Sequence, residues 1–242
     1  NNGTGTHFMW ENRDIRYNVL RAVGYYKGKA VAEDILVLNG LEQAPHFGIL
    51  YQDTKPLLKG EDGYNYLYRI NCGGDDFTDS FGQLWMQDNT NYSRSWAASF
   101  NELNPYLASQ RTTNDPIRGS RDWKLFQYFR FGRHQLEYNF PVADGMYRIE
   151  FYFTEPWHGT GGSASADCEG LRIFDVAVND SVVLDDLDIW AESGHDGACK
   201  KVVYAIVKGG LLKIHFPEVK AGQALISGIA IASANSDSKP TL

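Results

Sequence analysis

The stretch RIFDVAVNDSVVLDDLDIWAESGHDG, Arg172 to Gly197, concentrates carboxylates and aromatic rings in one short segment. Two chemistries would use Asp185, Asp186 and Asp188: a divalent-cation cluster or a pair of catalytic acids. Both make geometric demands. Calcium takes six or more oxygens around the ion, and glycosidase carboxylates face each other across a cleft from separate elements, about 5–10 Å apart. Strand alternation through VVLDDLDIW puts Val183, Asp185, Leu187 and Ile189 on one face and Leu184, Asp186, Asp188 and Trp190 on the other. One strand and its turn supply neither a cage nor facing acids, so these carboxylates are expected to belong to a scaffold.

Other candidate chemistries lack their settings. GTGGS, from Gly159, has no strand–nucleophile–helix frame and no triad order. NCGGDD, from Asn71, has glycines but no phosphate-binding lysine. The six histidines show neither HxxxH nor HxH spacing, so no metal is expected, and no cofactor. Cys72, Cys168 and Cys199 form no CxxC. Two readings of them stay open: three separate thiols, or a Cys168–Cys199 bridge between Gly-rich segments with Cys72 buried behind a strand.

The elements that position these residues read as strands. YLYRINCG, YRIEFYFTE, LRIFDVAVND, SVVLDDLDIW, KKVVYAIVKGG, LLKIHFPEV and ALISGIAIA are short β-branched or aromatic runs bounded by turn residues. In RIFDVAVN the alternation predicts a strand covered on one face, and VKGGLLKIHF predicts a hairpin turning at Gly209-Gly210. No long segment keeps a helical period. The fold class expected is an all-β sandwich. Trp85, Trp123 and Trp190 sit among such runs and are assigned to structure.

Bulk composition agrees. The 242 residues are 43% apolar and 14% aromatic, enough for one sizeable core with a smaller appendage. A net charge of −7 without any Lys/Arg run argues against nucleic acid. No run approaches the roughly 18 apolar residues of a membrane helix. The opening NNGTGTHFMW lacks the pattern of a signal peptide, so any such signal is expected to have been removed or to lie upstream.

Residues 1–40 contain a hairpin closed by Lys27-Gly28 but only about three strands, too few for an independent core. They are read as the C-terminal part of an immunoglobulin-like domain of a longer polypeptide. Residues 41–65 are turn-rich and aperiodic, as a linker is; 66–235 form the main domain, with a tail at 236–242. Between strands runs a long polar, aromatic-rich segment from Met86 to Gly132, and loops of that length usually carry function.

RINCGG followed by DSFGQLWMQD, with Asp79, Gly82, Trp85 and Asp88 in D–G–aromatic–D spacing, resembles the opening of malectin-like domains. YRIEFYFTEPW, RIFDVAVND, VLDDLDIW and ALISGIAIA follow in the order of that family's core strands, so the resemblance covers about residues 66–233. The shorter match LRAVGYYKGKAVAED resembles the immunoglobulin-like module of bacterial beta-galactosidase-type enzymes of glycoside hydrolase family 2.

The resemblance implies a non-catalytic carbohydrate-binding module appended to a secreted, periplasmic or cell-surface bacterial glycoside hydrolase. Its implied partners are an oligosaccharide or polysaccharide, plant or algal in origin, and the parent's catalytic domain. The family's loop aromatics align with Trp96, Phe131 and the pair Trp157-His158; the binding aspartate aligns with Lys220-Ala221, where Glu218 is the nearest carboxylate. A pyranose offers a C–H patch ringed by hydroxyls, so an aromatic face with polar neighbours suits it. Trp157, in the Gly- and Ser-rich segment after YRIEFYF, is expected to be exposed, whereas Trp96 shares its loop with Tyr92, Ala97 and Phe100 and could pack there. Arg94 and Arg130 could fork onto vicinal hydroxyls. The alternative function is a structural spacer or domain-packing module, which would bury these aromatics.

Overall fold

The computed structural model describes residues 11, 13–38, 40–53, 55–88, 109–133, 136–159 and 167–235. Trp96 and Arg94 lie outside that set. The N-terminal part runs β1 (Val19–Tyr26), β2 (Lys29–Val37), a 3-10 helix (Pro45–Tyr51), β3 (Tyr64–Asn71), β4 (Phe77–Thr78) and β5 (Leu84–Gln87). Then come β6 (Ser109–Thr112), α1 (Trp123–Gln127), β7 (Tyr128–Gly132), β8 (Glu137–Pro141) and β9 (Gly145–Phe153). The C-terminal part is β10 (Ile173–Val178), β11 (Ser181–Leu187), α2 (Ile189–Ser193), β12 (Cys199–Val207) and β13 (Leu211–His215). It closes with β14 (Val219–Ala221), β15 (Ala224–Ile226) and β16 (Gly228–Ala234).

The fold is all-β. A sheet ordered β12-β9-β16-β3-β5-β4 lies against another ordered β11-β10-β13-β8, with β14 added to β10. A small third sheet, β15-β7-β6, completes the domain. Alternation along β9 divides its side chains between two cores: Tyr147, Ile149, Phe151 and Phe153 enter the core between the sheets, while Tyr152 enters a second core behind. Ile229 and Ile231 of β16 go the first way and Ala230 the second.

That second core holds Trp85, Trp123, Phe126 and Leu58. Segment 41–65, read as a linker, contributes the fully buried Leu58 and packs Leu50, Tyr51 and Leu57 beside it. The buried Glu150 carboxylate ties this layer together: it takes Arg148 at 2.8 Å, Lys200 at 2.9 Å and the hydroxyls of Tyr66 and Tyr152 at 2.8 and 2.5 Å. Lys200 also donates to the Leu57 carbonyl. A buried charge is tolerable because it is paired on every side.

The resemblance motif is structural chemistry. Asp79 accepts the amides of Phe81 and Gln83 and, at 2.8 Å, the indole N–H of the fully buried Trp85. Trp85 and Trp123 are thus core residues, and Trp190 is partly buried in α2.

Three expectations change, and one open reading closes. Gly209-Gly210 does not close a hairpin: β12 pairs with β9 and β13 with β8 and β10, so the glycines carry the chain from one sheet to the other. β10 is covered on both faces, since Asp175 and Ala177 are buried beside Phe174, Val176 and Val178. The strand of VVLDDLDIW ends at Leu187; Asp186 has φ 51° at a register shift, and Asp188 caps α2 by accepting the Ala191 amide, so the predicted alternation fails before Trp190. All three cysteines are buried free thiols, which removes the Cys168–Cys199 bridge.

Among the described residues, β1 and β2 form a two-stranded hairpin turning at Lys27-Gly28. Val19 and Val37 reach the second core, and the Val37 amide donates to the Asn114 carbonyl, but Leu20, Tyr25, Tyr26, Val31 and Leu36 are exposed.

Candidate functional site

A cavity of about 500 Å³ opens where the third sheet meets two loops. Its floor follows from pairing. β6 and β15 flank β7 and set Arg111 opposite Phe129 and Leu225 opposite Phe131. Positions 129 and 131 share a face of β7, so both rings line the cavity, 6.1 Å apart. The Arg111 guanidinium stands 5.9 Å from the Phe131 ring centre. One wall is Pro156, Trp157 and His158 from the loop after β9; another is Gly222 and Gln223 between β14 and β15.

A buried ion pair sets both walls. Glu155, fully buried, holds Arg172 through Nε and, at 3.2 Å, through Nη2. Its Oε1 also accepts the amides of Trp157 and His158 at 3.0 Å. Arg172 Nη1 donates to the Gln223 carbonyl at 2.6 Å, so one guanidinium positions both loops. Burial alone would raise the Glu155 pKa, but Arg172 and the two amides overcome it and hold the carboxyl below its ordinary value.

Two glycines permit the walls. Gly159 has φ 95°, and a side chain there would come within 3.0 Å of His195. Gly222 has φ 64°, and a Cβ would stand 2.8 Å from the Leu171 carbonyl.

Of the residues read from sequence, the structure brings Phe131, Trp157 and His158 together. Trp157 is 64% exposed and Phe131 half-buried. Arg130 is elsewhere. As a neighbour of Phe131 on a strand it points to the opposite face, where its guanidinium grips Asp88 at 2.5 and 2.6 Å and is buried. Tyr138 donates to the same carboxylate, so Arg130 is a buried core residue and does not line the cavity. Glu218, before β14, does not line the cavity, but Gly222 and Gln223, after β14, do.

Arg111, Thr112, Thr113, Phe129, Leu225 and Gln223 were not found from sequence. Phe129 was signalled by its two-residue spacing from Phe131; Arg111 and Gln223 had no local signal, because only strand pairing brings them here. Among the described residues lining the cavity there is no carboxylate. The opening acids lie apart: Asp185 and Asp186 are exposed beside Asp175, and Asp186 pairs with Lys220.

Fold and site together define a β-sandwich domain that carries an aromatic-walled surface cavity beside its main sheets. The Malectin domain family matches residues 66–235, and the chain belongs to that family. Malectin of Danio rerio is 26% identical over 150 residues, 62% of this chain and 47% of that protein. The chain thus spans about half the length of the curated relatives it matches. Among solved structures, the beta-glucuronidase of Bacteroides uniformis is 25% identical with a TM-score of 0.57, covering 88% of this chain and 22% of the enzyme. The plant Receptor-like Kinase FER, 16% identical with a TM-score of 0.53, covers 72% of this chain and 50% of its own, and shares the fold.

Proposed function

We propose that the cavity binds a saccharide and that the chain is a non-catalytic carbohydrate-binding module. The observation that carries this reading is the exposed indole of Trp157 lining the same cavity as Phe129 and Phe131, together with Arg111, His158 and Gln223, which can bond hydroxyls. Apolar faces stack on sugar C–H patches, and the polar groups fix orientation. Membership of the malectin family supports the same class of ligand. A spacer would have no use for a tryptophan 64% exposed at the edge of a cavity. Trp96 and Arg94 lie outside the described residues and are kept as further candidate ligand residues.

The parent is proposed to be a secreted bacterial glycoside hydrolase, and its glycan plant or algal. The likeness to the beta-glucuronidase takes in more of the chain than residues 66–235, so it extends into the N-terminal 65 residues and supports a common domain context for the hairpin. On this reading β1 and β2 are the end of an immunoglobulin-like domain, and tethering raises the effective substrate concentration at the catalytic domain. A shallow site with few stacked rings gives affinity in roughly the micromolar to millimolar range.

Calorimetric screening of the chain against galactans, glucans and pectic oligosaccharides tests this. Saturable binding that Trp157→Ala abolishes is expected; no heat across the panel would overturn it.

A further inference from the structure

Behind the Trp157 loop, three side chains distant in sequence converge. Asp115 comes from the connection before α1, and His195 and Asp196 from the turn after α2; one ligand atom from each lies within 4.8 Å of the others. His195 Nδ1 faces the Glu155 carbonyl at 3.1 Å, an acceptor only, so Nδ1 carries a proton and donates it. Nε2 then points at Asp196 Oδ2, 2.9 Å away. Two electron-rich atoms that close need a proton or a cation between them. A second observation concerns the other Asp196 oxygen: Oδ1 is buried without a hydrogen-bond partner among the described residues, and Asp196 is 7% exposed.

We propose that Asp115, His195 and Asp196 form a binding site for a divalent transition-metal ion of the zinc type. One imidazole nitrogen with two carboxylates suits zinc, whereas calcium prefers six to eight oxygens. A ligating histidine whose other nitrogen donates to a backbone carbonyl is the usual outer-shell arrangement. The two carboxylates supply the charge a divalent ion balances. Asp115 is oriented by Thr113, whose hydroxyl donates to Oδ2 at 2.8 Å. Arg118, the nearby cation, is turned to the Ser193 and His195 carbonyls. The ion would also brace the sugar wall, because Glu155 carries His195 on its carbonyl and Trp157 on its carboxylate.

The test titrates zinc chloride into the chelator-stripped chain by calorimetry at pH 7.5, with calcium chloride in parallel. Expected is one saturable equivalent of zinc, a raised melting temperature, and at least about tenfold weaker binding in both Asp115→Asn and His195→Gln. Asp115 is partly exposed, so its variant folds even where a His195 change costs stability; Asp186→Asn, in the other acidic cluster, leaves zinc binding unchanged. Absence of the one-equivalent event, its survival in Asp115→Asn, or a preference for calcium would overturn the proposal.

Discussion

Trp157 leaves 64% of its surface open, so replacing it removes ligand contact without removing core. Trp157→Ala is expected to weaken saccharide binding about tenfold or more, in line with about 1.5 kcal/mol for a lost aromatic face, while thermal unfolding stays near that of the parent. Arg130→Ala should do the reverse. It strands the buried Asp88 carboxylate, a loss of about 3–5 kcal/mol for a broken buried pair, read as a lower denaturation midpoint, with weakened binding only insofar as the fold fails. The two residues show what local sequence can tell. A bulky indole in a Gly- and Ser-rich segment has few apolar neighbours in sequence, so its exposure could be read directly. Arg130 and Phe131 were both read as ligand residues, although neighbours on a strand face opposite ways; once β7 is a strand, only one of them can line the cavity.

At the scale of elements, the cavity depends on how the loops after β9 and β14 are fixed. Gly159→Ala forces a left-handed backbone on a residue with a Cβ and drives that Cβ toward His195. It is expected to cost about 1 kcal/mol or more of stability and to weaken sugar binding even though residue 159 does not line the cavity, checked by paired melting and titration. The Glu155 and Glu150 carboxyls give a pH signature. Both are held below the ordinary glutamate value: burial opposes this, but Arg172 with two backbone amides prevails at Glu155, and Lys200 with tyrosine hydroxyls prevails at Glu150. A depressed folded-state pKa stabilises above the unfolded value of about 4.3. Melting temperature should therefore hold from neutral pH down to about 5 and fall as acid protonates the folded carboxyls, with Glu155→Gln flattening part of that fall. Strands themselves were readable because period-two runs bounded by turn residues have few other solutions. Their partners were not: Gly209-Gly210 suits a hairpin or a crossing between sheets equally well, and only distant strands decide.

For the whole molecule, two cores share β9 and β16, and the segment read as a linker is part of the second. All three thiols are buried, with Cys199 pushed up to about 11 and Cys72 well above its ordinary value, burial being the main cause at each. A thiol reagent at neutral pH is expected to react slowly with native protein and to count three thiols in denaturant; a count of one would mean a bridge. Family and sandwich class could be recognised from ordered motifs because residues such as Asp79 and Trp85 form the frame itself. The site was half visible: its aromatics stood out, while Arg111, Gln223 and the Asp115–His195–Asp196 cluster arise from pairing across long sequence separations.

The most direct test of the central claim is a two-dimensional NMR titration of the isotopically labelled chain with a saccharide that binds it. Shifts are expected to centre on the Trp157 indole and the amides of 111–113, 129–131, 156–158 and 222–225, and to be absent in Trp157→Ala. Binding with those signals still and changes clustered on another face would contradict it.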